Sequence, residues 1–578
     1  MKDHDHLPDD LAGLKDANVY NHGFLPVAAA YCKKLKLTEV VDQMVSSKME
    51  LRPGLVVQAM VLDVLSGRSP LYRLEHFLAN QDTELLLGQD VDVHSFNDTN
   101  LARSLDAIFD CGTSKIITEI GQRAASIFKL DLRTLSYDTT STSVWGEYRQ
   151  CEEEEPPPGP LITYGHSKDY QPQLKQFMTE LLCVDRGVPI FGRTLDGNAS
   201  DKTSNNQMLS RISSIMAKHG LGPGAFVYVA DSAMVTQDNL ESIGTNRFIS
   251  RLPATYNECK AAIIEAVNAK QWDFIGPVAE PSDTDARSHT QYKAYETSVK
   301  LYDTSYRAVV VHSDSHDKRK KKKLDRQIAA SKSSISKQLK HIQKVYFCYA
   351  DAKAAALKVE KLSDRLHKVS VSIDPVEVRR RGRPPKDRPV STVTHYQLSY
   401  KLDERTEGIE REKEMAGCFV LLTNVPAQGK DSLDSKRIVR TYKGQYIVES
   451  DFAFLKDPLV VNDLFLKTPS RIDALGMILI IALMIWRLME RSMRLYLEQT
   501  NSTVPGWDNK KTNKPTAFMM TTVFLGIQVI LLKGQRWLFK GPTERQQSFL
   551  ETLGLDSSVF LDPECLCTLI VPSNAADE

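Results

Sequence analysis

"YKGQYIVESDFAFLK", residues 442–456, sets a phenol, an amide, a carboxylate and an amine into a stretch that otherwise reads as an amphipathic helix. At about 100° per residue, Gln445, Glu449 and Lys456 fall roughly 60°, 20° and 40° from Tyr442 in the same rotational sense, so the four share one face. Beside that face Val448, Phe452, Leu455 and Leu459 recur at helical spacing, the pattern of a helix docked on a core. Pro458 lacks an N–H and disfavours helix before it, so the helix is expected to stop near Lys456. Alone, such a face belongs to any solvated helix; its meaning depends on the rest of the chain.

The chain has 578 residues, 42% hydrophobic and 25% charged, the composition of a soluble globular protein with room for several domains. A formal charge of +1 gives no overall basic balance, but the charges are clustered. "KRKKKK" at 318–323 is followed by Arg326, Lys332, Lys337, Lys340 and Lys344, and "RRRGRPPKDR" spans 379–388. Nine cysteines without a CxxC pair argue against a disulfide framework or a zinc ribbon and suit a reducing compartment. "MKDHDHLPDD" is polar and acidic, unlike a signal peptide. "ALGMILIIALMIW" at 474–486 falls short of the roughly 20 residues that span a bilayer and is followed by Arg487 and Arg491, so a buried helix is expected there.

Residues 20–128 carry the apolar spacing of helices, as in "PGLVVQAMVLDVLSG", and suit a DNA-binding or scaffold domain alike. From 130 the texture turns to short strands. "RTLSYDTTSTSVWG" reads as a strand holding Asp138, and "FMTELLCV" and "VPIFGRTL" flank a "DRG" turn as a hairpin. A helix is expected at about 204–219 after a Thr203 or Ser204 cap, then "AFVYVADSAM" as a buried strand ending at Asp231, and "NRFISRLP" as another strand. Residues 254–415 interrupt this order with a Lys-rich helical stretch at 318–366, the Arg/Pro loop and a strand-like "THYQLSYKLD". Further helices are expected at about 470–500 and 517–538.

The basic segment suits nonspecific contact with phosphates, and Arg381 and Arg383 in "RGRP" resemble an AT-hook core that places arginines in a narrow minor groove. Asp138, Asp231 and Glu449 stand in a strand, at a strand end and on the helix after the last strand. Three carboxylates meeting in one pocket would repel unless hard cations bridged them, and two Mg²⁺ ions there suit phosphoryl transfer on DNA.

These blocks together resemble the DDE transposases of bacterial insertion sequences, in the branch with a Tyr-x2-Arg-x3-Glu-x6-Lys signature. Tyr442, Glu449 and Lys456 match that signature and Gln445 takes the arginine position; "YDTTSTSVWGEY" and "YVADSAM" resemble the two aspartate blocks, and "GHSKDYQPQLKQF" and "GNASDKTS" segments between them. The resemblance covers roughly 135–490. It implies an α/β fold: an RNase H-like mixed sheet with flanking helices, interrupted by a large insertion, plus a helical N-terminal domain and a helical C-terminal region. The expected divisions are 1–128, 129–253, 254–415, 416–495 and 496–578, the last for dimerisation.

The implied function is metal-dependent DNA cleavage at the ends of a mobile element and strand transfer to target DNA, with Asp138, Asp231 and Glu449 as catalytic ligands of two Mg²⁺, or Mn²⁺ in its place. Tyr442, Gln445 and Lys456 would face the end DNA, although glutamine offers a phosphate only neutral hydrogen bonds. The implied partners are double-stranded DNA and a second copy of the chain, in the bacterial cytoplasm at the nucleoid, with no membrane. The competing readings are an endonuclease of the same core without strand transfer, and an inactive DNA-binding relic or repressor. His166 and Lys168 either approach DNA or fix a turn through hydrogen bonds, the latter being favoured. Trp145 and Trp272 either stack on a base or belong to the core, again the latter.

Overall fold

The computed structural model describes residues 17–67, 74–148, 150, 158–278, 290–380, 392–429, 431–457 and 466–569. Arg381 and Arg383 lie outside the described residues. The chain forms two compact units, one from residues up to Ser250 and from Thr441 onward, the other Arg251–Arg440.

Among the described residues, the first unit begins with β1 (Asn18–Tyr20) and the α-helices α1 (Leu25–Leu35), α2 (Leu37–Met44), α3 (Pro53–Leu65), α4 (Leu74–Ala79), α5 (Thr83–Leu87), α6 (Asp98–Cys111) and α7 (Thr113–Phe128). Local chemistry sets their ends. Pro53 starts α3, where its missing N–H costs nothing, and the side chains of Asp82 and Asn97 accept from Leu85 N and Asn100 N to cap α5 and α6.

The sheet follows with β2 (Thr134–Val144), β3 (Lys175–Val184) and β4 (Val188–Leu195), then α8 (Asp201–Lys218), β5 (Val227–Ala230), α9 (Gln237–Ser242) and β6 (Arg247–Arg251). The strand order is β4-β3-β2-β5-β6, antiparallel from β4 to β2 and parallel from β2 to β6. The β3–β4 turn is Asp185-Arg186-Gly187, all at positive φ, as its composition foretold. α8 starts earlier than expected, because Ser200 caps it through Thr203 N.

The second unit contains α10 (Asn257–Ala269), β7 (Asp273–Pro277), β8 (Gln291–Leu301), β9 (Thr304–Ser313), α11 (Asp314–Lys340), β10 (Val345–Tyr346), α12 (Tyr349–Glu360), β11 (His367–Arg379), β12 (Thr392–Glu404), α13 (Thr406–Met415) and β13 (Cys418–Thr423). The expected helical stretch at 318–366 is therefore two helices separated by a short strand. "THYQLSYKLD" lies in β12, antiparallel to β11, which was not foreseen, since Pro375 and the wholly exposed Asp374–Arg379 half disguise it as a loop. Trp272 is half-buried, edge-on to Tyr295 and His312 with Lys293 Nζ 4.7 Å from its ring centroid, and Trp145 is exposed, so, contrary to expectation, neither sits in the core.

The chain returns through α14 (Ser435–Gly444), α15 (Tyr446–Leu455) and α16 (Pro469–Thr500), and ends with β14 (Val504–Pro505), β15 (Lys511–Thr512), α17 (Ala517–Val523), β16 (Val529–Leu532), β17 (Gln535–Leu538) and α18 (Glu544–Thr552). The helix expected over 517–538 is corrected to a short helix and a hairpin. Lys533 and Gly534, both at positive φ, turn the chain between two apolar runs. The hairpin pairs with β1, and Arg536 forms a bidentate ion pair with Asp82, so residues far apart in sequence meet within the first unit.

α16 is long and apolar enough to cross a membrane, but 89% of its apolar window is buried inside the protein. It packs on α1, α3, α6, α7 and β4. Close approach to β4 needs glycine: a Cβ at Gly476 would lie 2.5 Å from Thr194 Oγ1, and one at Gly121 on α7 would lie 2.3 Å from Ile190 O.

Candidate carboxylate site

β2 and β5 are adjacent and parallel, which brings Asp138, inside β2, toward Asp231, the first residue beyond β5. Asp231 turns the chain there: its side chain accepts from Ala233 N (3.1 Å), and its main-chain oxygen accepts from Ser250 Oγ of β6 (2.7 Å). The Asp138 side chain is 23% exposed and accepts from Thr139 N at 2.7 Å. Burial pushes its carboxyl up to about 7, Asp231 and Asp201 adding to the rise and Lys168 opposing it. Burial likewise raises Asp231, with Asp201 adding to it.

Asp201 is the member that sequence reading missed. It opens α8, and its Oδ1 accepts from Thr139 Oγ1 at 2.5 Å. Its only signal was its place in "GNASDKTS", a block noticed without a role. Lys168 Nζ lies 3.1 Å from Asp201 Oδ1 and 3.9 Å from Asp138 Oδ1, and donates to Thr139 O (2.7 Å) and Thr139 Oγ1 (2.9 Å). Lys168 thus fixes its turn through hydrogen bonds, as favoured, and is also the cation among the three aspartates.

The signature helix is interrupted. α14 ends at Gly444 and α15 begins at Tyr446; across the junction Gln445 N bonds to Tyr442 O and Val448 N to Gln445 O, the tighter i to i+3 pattern. Glycine, a poor helix former, sits at this break. Tyr442 is therefore on α14, but Gln445 at the junction keeps right-handed helical dihedrals (φ −59°, ψ −19°), so the rotation continues toward Glu449 through one tightened turn.

Gln445 donates its amide to Tyr137 O at 3.2 Å, which ties the junction to β2 at the peptide preceding Asp138. Glu449 follows one turn later on an exposed part of α15. Lys456, at the end of α15, reaches Asp169 Oδ1 at 2.6 Å. Adjacent residues of one loop, Lys168 and Asp169, thereby link the aspartates to the glutamate helix. On the buried side of α15, Asp451 pairs with Arg487 of α16, which also holds Ser450 Oγ and Glu490. These contacts set where Glu449 stands.

Among the described residues, no three His, Cys, Asp or Glu side chains are gathered closely enough to hold one metal ion. The structure brings Asp138 and Asp231 together with Asp201 nearby, and places Glu449 on the helix docked beside β2. The donors are all carboxylate oxygens with excess negative charge, a set suited to a hard divalent cation.

The N-terminal helices carry the match to known families: residues 17–122 match DUF4277, a domain of unknown function. No curated protein matches the chain.

Proposed function

We propose that the protein is a DDE-type transposase with an RNase H-like core, cutting DNA at the ends of a mobile element and joining them to target DNA. The observation that carries this reading is the meeting of Asp138 and Asp231 at adjacent parallel strands, with the Glu449 helix tied to the same strand through Gln445. The strand order β4-β3-β2-β5-β6, antiparallel and then parallel, supports this reading.

Asp138 and Asp231 would hold Mg²⁺, with Glu449 as the third carboxylate. The metal, when bound, supplies Lewis-acid activation of a water or 3′-hydroxyl and stabilises the leaving oxygen. Lys168 orients the Asp138–Thr139 segment and Asp201, and limits the repulsion among the aspartates. The Lys456–Asp169 pair fixes the far end of α15.

The test is incubation of the purified protein with DNA carrying the natural flanks of its coding region, a target plasmid and Mg²⁺. Strand cleavage and joined products are expected, both lost in Asp138→Asn and Asp231→Asn. Cleavage without joining would make the protein a nuclease of the same core. DNA binding with no strand breakage in Mg²⁺ or Mn²⁺ would overturn the catalytic reading.

A further inference from the structure

The second unit contains a cavity of about 940 Å³ walled by α10, α11, α13 and the chain around Arg251 and Phe419. That volume lies near the upper end of the range typical of small-molecule sites, roughly 300–1,000 Å³. Its floor is apolar and buried: Leu252, Cys259, Leu324, Ala416, Cys418 and Phe419. Its walls are cationic. Arg365 is occupied, bonding Glu412 at 2.6 Å and Gln327 at 2.9 Å, and Glu412 is the one carboxylate in the lining.

Among the described residues, Lys260, Lys320, Lys323 and Arg411 have no carboxylate within ion-pairing distance, while Arg251 lies over the Phe419 ring at 5.2 Å and Arg319 makes only a long contact, 3.4 Å, to Ser315 O. Burial pushes the Cys259 thiol up, and the charges of Arg251 and Lys320 pull it back, which sets both cations beside one part of the floor. An isolated lysine run belongs to solvent. Here cations from three separate helices and the Arg251 strand end instead surround one apolar hollow, where their mutual repulsion favours an anion.

We propose that Arg251, Lys260, Arg319, Lys320, Lys323 and Arg411 form a binding site for a phosphate-bearing ligand, with the apolar floor receiving the body that carries the phosphate. The chemistry is shared by two sources: a free phosphate ester such as a nucleotide, and the backbone of a nucleic acid. The guanidinium groups supply paired donors for phosphate oxygens, and the lysines supply point charge. This site does not depend on the carboxylates of the first unit.

The experiment uses the full chain with three probes: inorganic pyrophosphate, ATP and a short DNA duplex, each titrated at two salt concentrations. The test variant is Lys320→Gln with Lys323→Gln; the control is Lys358→Gln with Lys368→Gln, exposed lysines of the same unit outside the cavity. The test variant is expected to weaken binding about tenfold or more and to lower the salt slope for duplex by about 2, with the control close to wild type. Loss confined to pyrophosphate and ATP assigns the site to a free phosphate ester. Loss confined to duplex assigns it to backbone phosphate, and loss of all three leaves it open to both. If no probe binds more weakly to the test variant than to the control, the proposal is overturned. Strand cleavage in Mg²⁺ is read separately on the same variants, so failure of the catalytic reading leaves this result legible.

Discussion

Two aspartates of the first unit have carboxyls raised to about 7 by burial, yet their surroundings differ. Asp451 is fully buried and held by Arg487, itself only 8% exposed, with Cys183 alongside. Asp138 is partly exposed and faces two further aspartates, with a single lysine in partial opposition. A buried acid paired to a guanidinium is a satisfied structural contact. A buried acid among other acids is an unsatisfied one, and its environment becomes favourable when a cation arrives. Burial alone therefore does not identify a working carboxylate; the sign of its neighbours does.

The largest effect should come from breaking the satisfied pair. Arg487→Met leaves Asp451 without its cation, and such breakage of a buried pair costs about 3–5 kcal/mol. Denaturant unfolding should show the midpoint falling accordingly. Asp138→Asn should behave in the opposite manner, folding at least as stably as wild type because a crowded charge is removed. It should lose Mg²⁺ affinity by more than about 100-fold, read by calorimetry. Marked destabilisation by Asp138→Asn would remove the distinction between the two sites.

Lys168→Met sharpens the contrast from the other side. It removes the cation beside Asp138 and Asp201 and frees the Thr139 oxygens. Metal affinity should fall about 10–100-fold through lost orientation, although a positive charge has gone. Tighter Mg²⁺ binding would show that Lys168 acts as a competitor for the site and not as a positioning residue.

The pH dependence follows from the same carboxyl. In the folded chain the Asp138 proton is retained up to about pH 7, whereas an unfolded aspartate retains it only to about 4. This contribution to stability is complete below the unfolded value and is lost as pH rises through the folded one. In the absence of metal, wild type should therefore lose more Tm than Asp138→Asn between pH 5 and 8. Mg²⁺ should raise Tm at pH 8 and have little effect at pH 5, where the proton holds the ligand.

The sheet was legible because strands of alternating or continuous apolar residues ended at turn residues: "DRG" announced the β3–β4 turn, and Asp231 stood at the end of its apolar run. The aspartate pair was legible for the same reason, since strand adjacency brings those positions together. Asp201 was not, because its role depends on Thr139, sixty-two positions earlier, and no local pattern encodes that contact. Within the expected 517–538 helix, the 529–538 hairpin was read as helix because short apolar runs fit either period until Lys533-Gly534 is recognised as a turn.

Gln445 gives the smallest expected effect and decides how the signature stretch is to be understood. The resemblance places a phosphate-holding arginine in this position, but the glutamine amide already bonds Tyr137 O, one residue before Asp138. Gln445→Leu should cost about 0.5–1.5 kcal/mol of stability, the net worth of one neutral hydrogen bond, and leave the salt slope of DNA binding unchanged. Gln445→Arg would have to abandon Tyr137 O to reach a phosphate. If it steepened the salt slope by about 1 without loss of stability, the face would meet DNA after all. An unchanged slope with a small loss of stability would establish Gln445 as the tie between the glutamate helix and the aspartate strand.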